Sequence, residues 1–340
     1  MQTDHTKTAV IILNYNGKKY LKKFLPDLIK HTANADIIVA DNNSSDDSVF
    51  FLKEHYPDIT LIENEENGGF AKGYNDTLQY VNADYYLLLN SDIEVTPGWL
   101  DPLVNHMDKH PNTAACQPKI RSFHHKDKFE YAGAAGGYID KYGYPFCRGR
   151  IFDHLETDHG QYEDEKEVFW ATGACMMVRA SVFHQLGGLD ADFFAHMEEI
   201  DFCWRCKNQG YSIKYIPTST VYHVGGGTLP KNSPFKTYLN FRNNISLLYK
   251  NMAEPEFRKL SRIRWFLDML AALKFLLSGQ IKDTTAIFKA HRHFRRDKLK
   301  HAAKKLPVKQ RSKQGIYHGS IVKDYYLKGK KTFRDLDFKA

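Results

Sequence analysis

Four polar clusters in the first ninety residues each follow a short apolar run. They occupy residues 14–17, 41–46, 64–75 and 90–92. A short run rich in branched or Leu side chains that ends in Asn, Asp, Ser or Gly is typical of a buried strand entering a loop. Ligands bind outside the carboxyl ends of the strands in an open parallel sheet, where such loops converge. The clusters therefore predict a site for a nucleotide base, a ribose or a diphosphate.

Two features of these loops remain open on spacing alone. Asp41 either accepts from a base N–H or a sugar hydroxyl, or caps its own loop. Gly68 and Gly69 either let a ligand approach the backbone or make a plain turn, and neither GxxxxGK[ST] nor GxGxxG is present. The predicted nucleotide contacts are Asn14, Asn16, Asp41, Asn43, Asn67, Gly69, Lys72, Asn90 and Ser91.

Asp92 and His223 are the candidate metal ligands. Asp92 follows a strand of Tyr and Leu, and a carboxylate there can hold Mg²⁺ or Mn²⁺, which take their remaining ligands from water and substrate phosphates. The alternative is a cap for the helix after Pro97. His223 follows a β-branched run and precedes Gly225, Gly226 and Gly227, so it is either a metal ligand or a structural histidine.

Acidic residues are concentrated between positions 190 and 201. Carboxylates beside Phe and Met have the setting in which a pKa rises toward neutrality, as a general base requires, so this group of Asp190, Asp192, Glu198, Glu199 and Asp201 contains candidates for a general base. A solvated acidic helix start would look similar. The predicted acceptor contacts are Trp170, Gly173 and Asp201, with Trp170 either a platform for a sugar ring or part of the core.

The elements around these residues predict an α/β protein with a mostly parallel central sheet and helices on both faces. Strand and helix patterns alternate through the first ninety residues, and residues 121–166 read as an insertion of loops and short hairpins. After it, a helix is expected at 198–208, a strand at 212–216 before Pro217, and helices at 235–250, 258–277 and 284–305. The predicted division is a domain over 1–250, with a nucleotide-binding half at 1–92 and an acceptor and catalytic half at 93–250. A basic helical extension covers 251–340.

Charge separates the two regions. Residues 256–340 carry 23 Lys and Arg against 7 Asp and Glu, a net charge of +16, whereas residues 1–255 carry 25 against 33, a net charge of −8. An acidic body binds nucleic acid poorly, and the basic region has no nucleic-acid fold motif, so no nucleic-acid partner is predicted. The apolar residues of 258–277 lie at helical spacing. They either meet an anionic membrane surface or pack on the domain beneath a solvated basic face.

The chain lacks a basic and apolar leader at its start and a run of about 20 apolar residues later, which predicts a cytoplasmic protein. If the basic region meets anionic lipid, the protein is peripheral on the inner face of the plasma membrane. Five cysteines without a disulfide spacing fit a reducing compartment.

Seven segments together resemble glycosyltransferase family 2, the inverting enzymes that use nucleotide-diphosphosugars and have the type A fold. The resemblance covers about residues 7–250 and is strongest to the rhamnosyltransferase-like branch. The segments that carry it are 10–17 (VIILNYNG), 41–46 (DNNSSD), 67–75 (NGGFAKGYN), 87–92 (LLLNSD), 170–179 (WATGACMMVR), 187–205 (GGLD to EEIDFCWR) and 223–227 (HVGGG).

The resemblance implies that Asn14 and Asp41 meet the nucleotide, that Asp92 binds the metal as the last residue of the DxD motif, and that His223 lies near the metal or the diphosphate. The second member of the family's acid pair, the base, falls on Glu199, where Asp is more usual. Asn90 replaces the first Asp of DxD. The extra methylene of Glu199 leaves Glu198 as an alternative base.

The function implied is transfer of a sugar from a UDP- or dTDP-sugar, with dTDP-rhamnose the narrower expectation, to a saccharide or lipid-linked saccharide of a cell-surface polysaccharide. The cofactor implied is Mg²⁺ or Mn²⁺. The competing interpretations are a catalytically silent nucleotide-sugar-binding or scaffold protein and a sugar nucleotidyltransferase. The second of these would need a basic, Gly-rich triphosphate loop near the N-terminus, which is absent.

Overall fold

A computed structural model describes residues 3–225 and 233–338. Its strands are β1 Thr6–Asn14, β2 Asp36–Asp41, β3 Thr60–Glu63, β4 Ala83–Asn90, β5 Ile93–Val95, β6 Thr113–Ser122, β7 Gly137–Asp140, β8 Pro145–Cys147, β9 Arg150–Ile151, β10 His154–Leu155, β11 Lys166–Glu167, β12 Cys175–Arg179, β13 Ser212–His223 and β14 Ile316–Tyr317. Its α-helices are α1 Lys18–Lys30, α2 Ser48–His55, α3 Gly69–Leu78, α4 Asp101–Lys109, α5 Ala180–Gln185, α6 Glu198–Asn208, α7 Pro234–Asn251, α8 Glu254–Leu277, α9 Ile281–Ala303 and α10 Ile321–Tyr326.

The central sheet has nine strands in the order β11-β13-β6-β12-β4-β1-β2-β3, with β5 paired to β13. β1, β2, β3, β4, β6 and β13 all run in one direction, and β5, β11 and β12 run against them. The prediction of a mostly parallel sheet is therefore confirmed. As a result, the carboxyl ends of six strands meet at one edge, which we call the strand-end edge.

Helices cover both faces of this sheet, as predicted. Successive residues of a strand point to opposite faces, so Ile11 joins one apolar core while Val10 and Ile12 join the other. The first core includes α3, α5 and α6, and the second includes α1 and α4. Burial on both faces explains why β1 and β4 read as continuous apolar runs.

Residues 121–166 form short hairpins over the sheet, as the loss of periodicity predicts. Strands β7 to β10 make a second sheet in the order β10-β9-β8-β7-β14. Its last member, β14, comes from the C-terminal region and pairs in parallel with β7.

The C-terminal region packs back on the rest of the chain. The backbone N–H of Lys309 donates to the carbonyl of Asn208 at 2.9 Å, and that of Ile321 donates to the carboxylate of Asp140 at 3.0 Å. The predicted division at residue 250 stays a prediction, but the tail adds a strand and α10 after the two long helices α8 and α9. Within the described ranges, no helix is long and apolar enough to cross a membrane.

Candidate active site

The nucleotide-binding candidates begin where β1 and β2 end side by side. The register pairs Asn14 with Asp41, and the Asn14 side-chain amide donates to the Asp41 carboxylate at 2.9 Å. Both side chains are buried. The Asn14 Oδ1 atom is buried and has no hydrogen-bond partner among the described residues. A polar atom in that state favours a ligand at this position, because buried acceptors are normally paired.

Asp41 also closes its own loop. Its carboxylate accepts from the backbone N–H of Ser44 at 2.8 Å and from the Ser44 hydroxyl at 2.7 Å. The loop-capping alternative is therefore present in the structure, and any nucleotide contact uses the acceptor capacity that remains. Asn16 plays a similar part, since its side-chain oxygen accepts from the backbone of Ser45 and Asp46. Asn43 is exposed with a left-handed φ of 60°.

The third loop is fixed by Asn42, a residue of the 41–46 segment that no sequence pattern distinguishes from its neighbours. Its side-chain amide donates to Asn67 at 2.8 Å and lies 3.3 Å from the carbonyl of Gly69. Gly69 has a φ of +83°, and a Cβ there would lie 2.4 Å from the carbonyl oxygen of Phe194. The glycine therefore allows the approach of another segment of the protein. Lys72 pairs with acidic residues of its own loop and helix.

The metal candidates lie together at the strand-end edge. His223 ends β13, and its Nε2 lies 3.1 Å from Asp92 Oδ1 and 3.4 Å from the side-chain nitrogen of Asn90. The backbone N–H of Gly225 donates to the other Asp92 oxygen at 3.2 Å. The predicted glycines at 226 and 227 lie outside the described residues. Ser91 lies within the same loop, and its hydroxyl is 3.3 Å from where a Cβ on Gly17 would be.

A carboxylate that the sequence patterns did not reveal completes this cluster. Glu130 Oε2 lies 3.2 Å from His223 Nδ1, and both side chains are buried. Burial alone would lower the pKa of His223, but the charges of Glu130 and Asp92 outweigh it and raise the pKa to about 10. Burial likewise opposes ionisation of Asp92, whose pKa is nevertheless lowered by His223.

This donor set fits a divalent cation. Asp92 offers oxygen and His223 offers nitrogen, and Mn²⁺ accepts both kinds of ligand. A metal on His223 Nε2 requires loss of the proton at that atom, and the charge of Glu130, 3.2 Å from Nδ1, favours a proton on that second nitrogen. Residues 3–225 and 233–338 contain two other groups of three potential ligands, His106, His110 and Glu165, and Asp190, Asp192 and His301. Neither includes Asp92 or His223.

The acidic pair opens α6 after a strained segment. Phe194, His196 and Met197 all have left-handed φ values, of 64°, 69° and 77°. Non-glycine residues in that region cost energy and occur mainly where the surrounding structure enforces them. Here the side-chain amide of Asn243, on α7, lies 2.9, 2.9 and 2.7 Å from the carbonyl oxygens of Phe193, Ala195 and His196.

Glu198 and Glu199 are both set in apolar surroundings. Burial raises the pKa of Glu199 to about 7, and burial together with the charge of Glu199 raises that of Glu198. The Oε2 atoms of both side chains are buried without a hydrogen-bond partner in the described part of the chain. Glu198 is the more buried side chain, so Glu199 is better placed to meet a substrate.

One chain of contacts connects the turn before the acid pair with the strand ends. The backbone N–H of Phe70, at the start of α3, donates to the carbonyl of Phe194 at 2.8 Å, and Gly173 packs against the Phe70 ring. The side-chain amide of Asn42, which follows β2, lies 3.3 Å from the carbonyl of Gly69 at the start of the same helix.

Two of the predicted acceptor contacts are wrong. Trp170 is 6% exposed, its ring lies against Gly137, and its indole N–H donates to the carbonyl of Tyr138 at 2.9 Å, so it belongs to the core. Asp201 is fully buried and bonds to Arg205, Lys250 and Asn251. A fully buried carboxylate that already accepts from three donors cannot contact a sugar.

The comparisons with known proteins agree with this fold. Residues 9–187, more than half of the chain, match the family described as Glycosyl transferase family 2. The chain is 27% identical over 233 residues to N-acetylglucosaminyl-diphospho-decaprenol L-rhamnosyltransferase of Mycobacterium tuberculosis, covering 63% of this chain and 75% of that protein. It is 26% identical over 259 residues to dTDP-rhamnosyl transferase RfbF of Shigella flexneri, covering 71% and 79%.

A solved structure shares the fold. The mannosyltransferase PcManGT from Pyrobaculum calidifontis, in complex with GDP-Man and Mn²⁺, superposes with a TM-score of 0.51 at 15% identity, covering 88% of this chain and 79% of that one. The family match and the named relatives lead to one conclusion. The chain belongs to glycosyl transferase family 2, in its rhamnosyltransferase-like branch, and is a glycosyltransferase.

Proposed function

We propose that this glycosyltransferase moves a sugar from a UDP- or dTDP-sugar, with dTDP-rhamnose the first candidate, to a saccharide or lipid-linked saccharide of a cell-surface polysaccharide. The observation that carries the proposal is the presence of two groups at the strand-end edge, the buried Asn14 and Asp41 pair and the cluster of Asp92, His223 and Glu130. The turn before Glu199 is joined to the same side of the sheet through the hydrogen bond from Phe70 to Phe194. The names of the two rhamnosyltransferase relatives support the choice of donor.

In this proposal Asn14 and Asp41 hold the nucleotide. The unpaired Asn14 Oδ1 accepts a hydrogen bond from the base or ribose, and Asp41 orients the amide that carries it. Asn90 and Ser91 lie beside the diphosphate at the end of β4. The remaining predicted contacts, Asn16, Asn43, Asn67, Gly69 and Lys72, shape and hold the loops, since most of their polar contacts run within the protein.

Glu199 is the proposed general base. It accepts the proton of the acceptor hydroxyl while the oxygen of that hydroxyl attacks the anomeric carbon, and the bond to the nucleoside diphosphate breaks on the opposite face, which inverts the configuration. A base that works near neutral pH needs a pKa near neutral pH, and burial supplies it here. Glu198, more deeply buried, stays protonated beside it and leaves Glu199 as the acceptor of the proton.

Asp92 and His223 are the residues that would hold Mg²⁺ or Mn²⁺. When bound, such an ion neutralises the negative charge that grows on the leaving diphosphate. Glu130 fixes the orientation of the His223 ring. The structure of PcManGT with GDP-Man and Mn²⁺ supports a divalent cation beside the sugar nucleotide in this fold.

We also propose that the enzyme acts at the inner face of the plasma membrane. The net charge of +16 on residues 256–340 favours binding to the anionic lipids of that face.

A screen of nucleotide sugars tests the donor. The full chain is heated with each sugar nucleotide in the presence of Mn²⁺, and a true donor raises the melting temperature with the logarithm of its concentration. We expect dTDP-rhamnose to give the largest shift and Asp92→Ala to abolish hydrolysis of that donor. Binding without hydrolysis or transfer to any acceptor would instead favour a silent sugar-nucleotide-binding protein.

A further inference from the structure

Helix α8 differs from an ordinary surface helix because it buries two charged side chains and exposes several large apolar ones. Its polar residues Arg264 and Asp268 are buried, whereas Phe266, Leu270 and Leu273 are 57%, 47% and 49% exposed. A helix on the surface of a globular protein normally does the opposite. The sequence left open whether the apolar stripe packs on the domain or faces outward, and the structure turns it outward.

The buried polar face explains this orientation. The Arg264 guanidinium donates to the carbonyl of Tyr142 at 2.9 Å and lies 3.8 Å from the ring centre of Tyr144. Asp268 accepts contacts from Arg264 and from His291 of α9, at 3.5 and 3.0 Å. These contacts fix the rotation of the helix, since a turn about its axis would leave two buried charges without partners.

The exposed apolar residues form one continuous stripe. They recur every three or four residues, which places them on one side of the helix. The stripe continues past the end of α8, because the Lys274 amine lies 5.1 Å from the ring centre of Tyr326, on α10, where Leu327 is 78% exposed. Its members are Ile263, Phe266, Leu270, Leu273 and Leu277, flanked by Trp265, Leu276 and Ile281.

The exposed charges along this stripe are positive, and the two acids at the start of α8, Glu254 and Glu256, pair with Arg258 and Arg311. Between residues 257 and 282 the only acidic residue is Asp268, which is fully buried. The exposed cations of the same segment are Arg258, Lys259, Arg262, Lys274 and Lys282. A second copy of the chain placed on the stripe would bring these cations against each other, whereas an anionic surface would be attracted to all of them.

We infer that the outer face of α8, defined by the stripe and its five cations, docks on an anionic lipid bilayer. The apolar side chains enter the boundary between headgroups and acyl chains, and the Lys and Arg side chains meet lipid phosphates. The helix lies in the plane of the membrane and does not cross it. The inference rests on the proposed function in one respect only, namely that docking keeps the enzyme beside its lipid-linked acceptors.

Vesicle binding tests the inference. The full chain is mixed with vesicles of phosphatidylcholine alone or with added phosphatidylglycerol, and the bound fraction is measured by flotation. We expect binding only to the anionic vesicles and a loss of binding in high salt, because each Lys or Arg near the surface strengthens binding roughly 5-fold. Phe266→Gln/Leu270→Gln/Leu273→Gln should reduce binding at least ten-fold. The matched control is Phe50→Gln, an exposed apolar residue of α2.

Trp265 gives a second readout that does not depend on the triple variant. It is 49% exposed, whereas Trp99 and Trp170 are buried. Its fluorescence should shift to shorter wavelength on anionic vesicles, and Trp265→Phe should remove the shift. Equal binding by the triple variant and the wild type overturns the inference. So does a wild-type dimer that the triple variant converts to monomer, since a second copy would then cover the stripe.

Donor hydrolysis and vesicle binding together distinguish a failure of this inference from a failure of the proposed function. Hydrolysis of the donor in solution needs no membrane, so the triple variant should hydrolyse donor like the wild type. Vesicle binding without any hydrolysis would support the docking surface and contradict the proposed function. Hydrolysis without vesicle binding would support the proposed function and contradict the docking surface.

Discussion

At the scale of single residues, the difference in burial between Glu199 and Glu198 gives the two carboxyl groups different proposed roles. Glu199→Gln removes the proposed base and should lower the rate of transfer about 10²- to 10⁴-fold while donor binding changes little. Because the base must be deprotonated, wild-type activity should rise as pH increases through about 7. Kinetics of transfer across that range, together with donor affinity from the thermal shift, checks both parts.

Glu198→Gln is the matched control. Burial and the charge of Glu199 raise the pKa of Glu198 well above its usual value, which favours the protonated form, and Gln has nearly the shape of the protonated acid. We expect this variant to keep most of the activity. If Glu198→Gln is inactive while Glu199→Gln is active, the base is Glu198.

Glu130 is predicted to act on the metal through His223. Glu130→Gln removes the carboxylate that holds the histidine ring, which typically costs 10- to 100-fold in metal affinity. A calorimetric titration with Mn²⁺ measures this. Glu94→Gln, on the neighbouring strand β5, changes a carboxylate that pairs with Lys126 instead and should leave the affinity unchanged. An unaltered affinity in Glu130→Gln would remove Glu130 from the site.

At the scale of elements, the base depends on a turn that α7 holds in place. Asn243→Ala removes the amide that faces three carbonyls of the strained segment before α6. We expect kcat to fall while KM for the donor holds, because the nucleotide loops do not contact Asn243. The loss of stability should be about 1–3 kcal/mol, the usual cost of leaving buried polar groups unpaired.

The adjacent Asn244 is the control for this prediction. It is also a buried amide of α7, but it donates to the carbonyl of Gly143 at 2.8 Å, in the hairpin sheet. Asn244→Ala should lower the melting temperature without a selective loss of kcat. Equal losses of kcat in the two variants would show that Asn243 has only a structural role.

The same scale shows what the sequence could and could not predict about the elements. The alternation of apolar runs and helix patterns correctly predicts β1 to β4, and the acidic start of α6 is predicted at Glu198. The predicted strand at 212–216 stops at Pro217, but β13 continues to His223 through a shift of register between Ile216 and Thr220. A proline is tolerated where the pairing is irregular. That continuation is what carries His223 to the strand-end edge.

Residues defined by their partners were less predictable. Trp170 and Asp201 are residue types that could bind a sugar, but the polar atoms of both are already bonded within the protein. The partner of Trp170 lies 32 positions away along the chain, and two partners of Asp201 lie about 50 positions away. Glu130 lies in a stretch without periodicity, so no local signal identifies it. Side-chain chemistry predicts what a residue can do, and only the tertiary arrangement decides whether its atoms are free.

At the scale of the whole molecule, ion pairs join the C-terminal region to the catalytic half. Lys304, after α9, contacts Asp190 and Asp192, and Lys300 of α9 contacts Asp192. Within the catalytic half, Lys250 of α7 lies 2.6 Å from the same Asp190 carboxylate and 2.9 Å from Asp201, and these three side chains are buried. The tail is therefore expected to fold with the catalytic half, as one cooperative unit.

Asp190→Asn tests this connection through its pH dependence. Burial opposes ionisation of Asp190, but Lys250 and Lys304 outweigh it and hold its pKa well below its usual range. A carboxylate with a lowered pKa contributes stability above its unfolded value of about 3.9 and loses that contribution as pH falls. The variant leaves Lys250 short of one partner, so it should be less stable than the wild type by about 3–5 kcal/mol at pH 7, with a smaller gap at about pH 3, below the unfolded pKa. Melting temperatures at the two pH values measure the gap, and Asp36→Asn, an exposed site at the start of β2, should show none. A gap that stays constant between the two pH values would mean that the Asp190 charge does not hold the tail to the catalytic half.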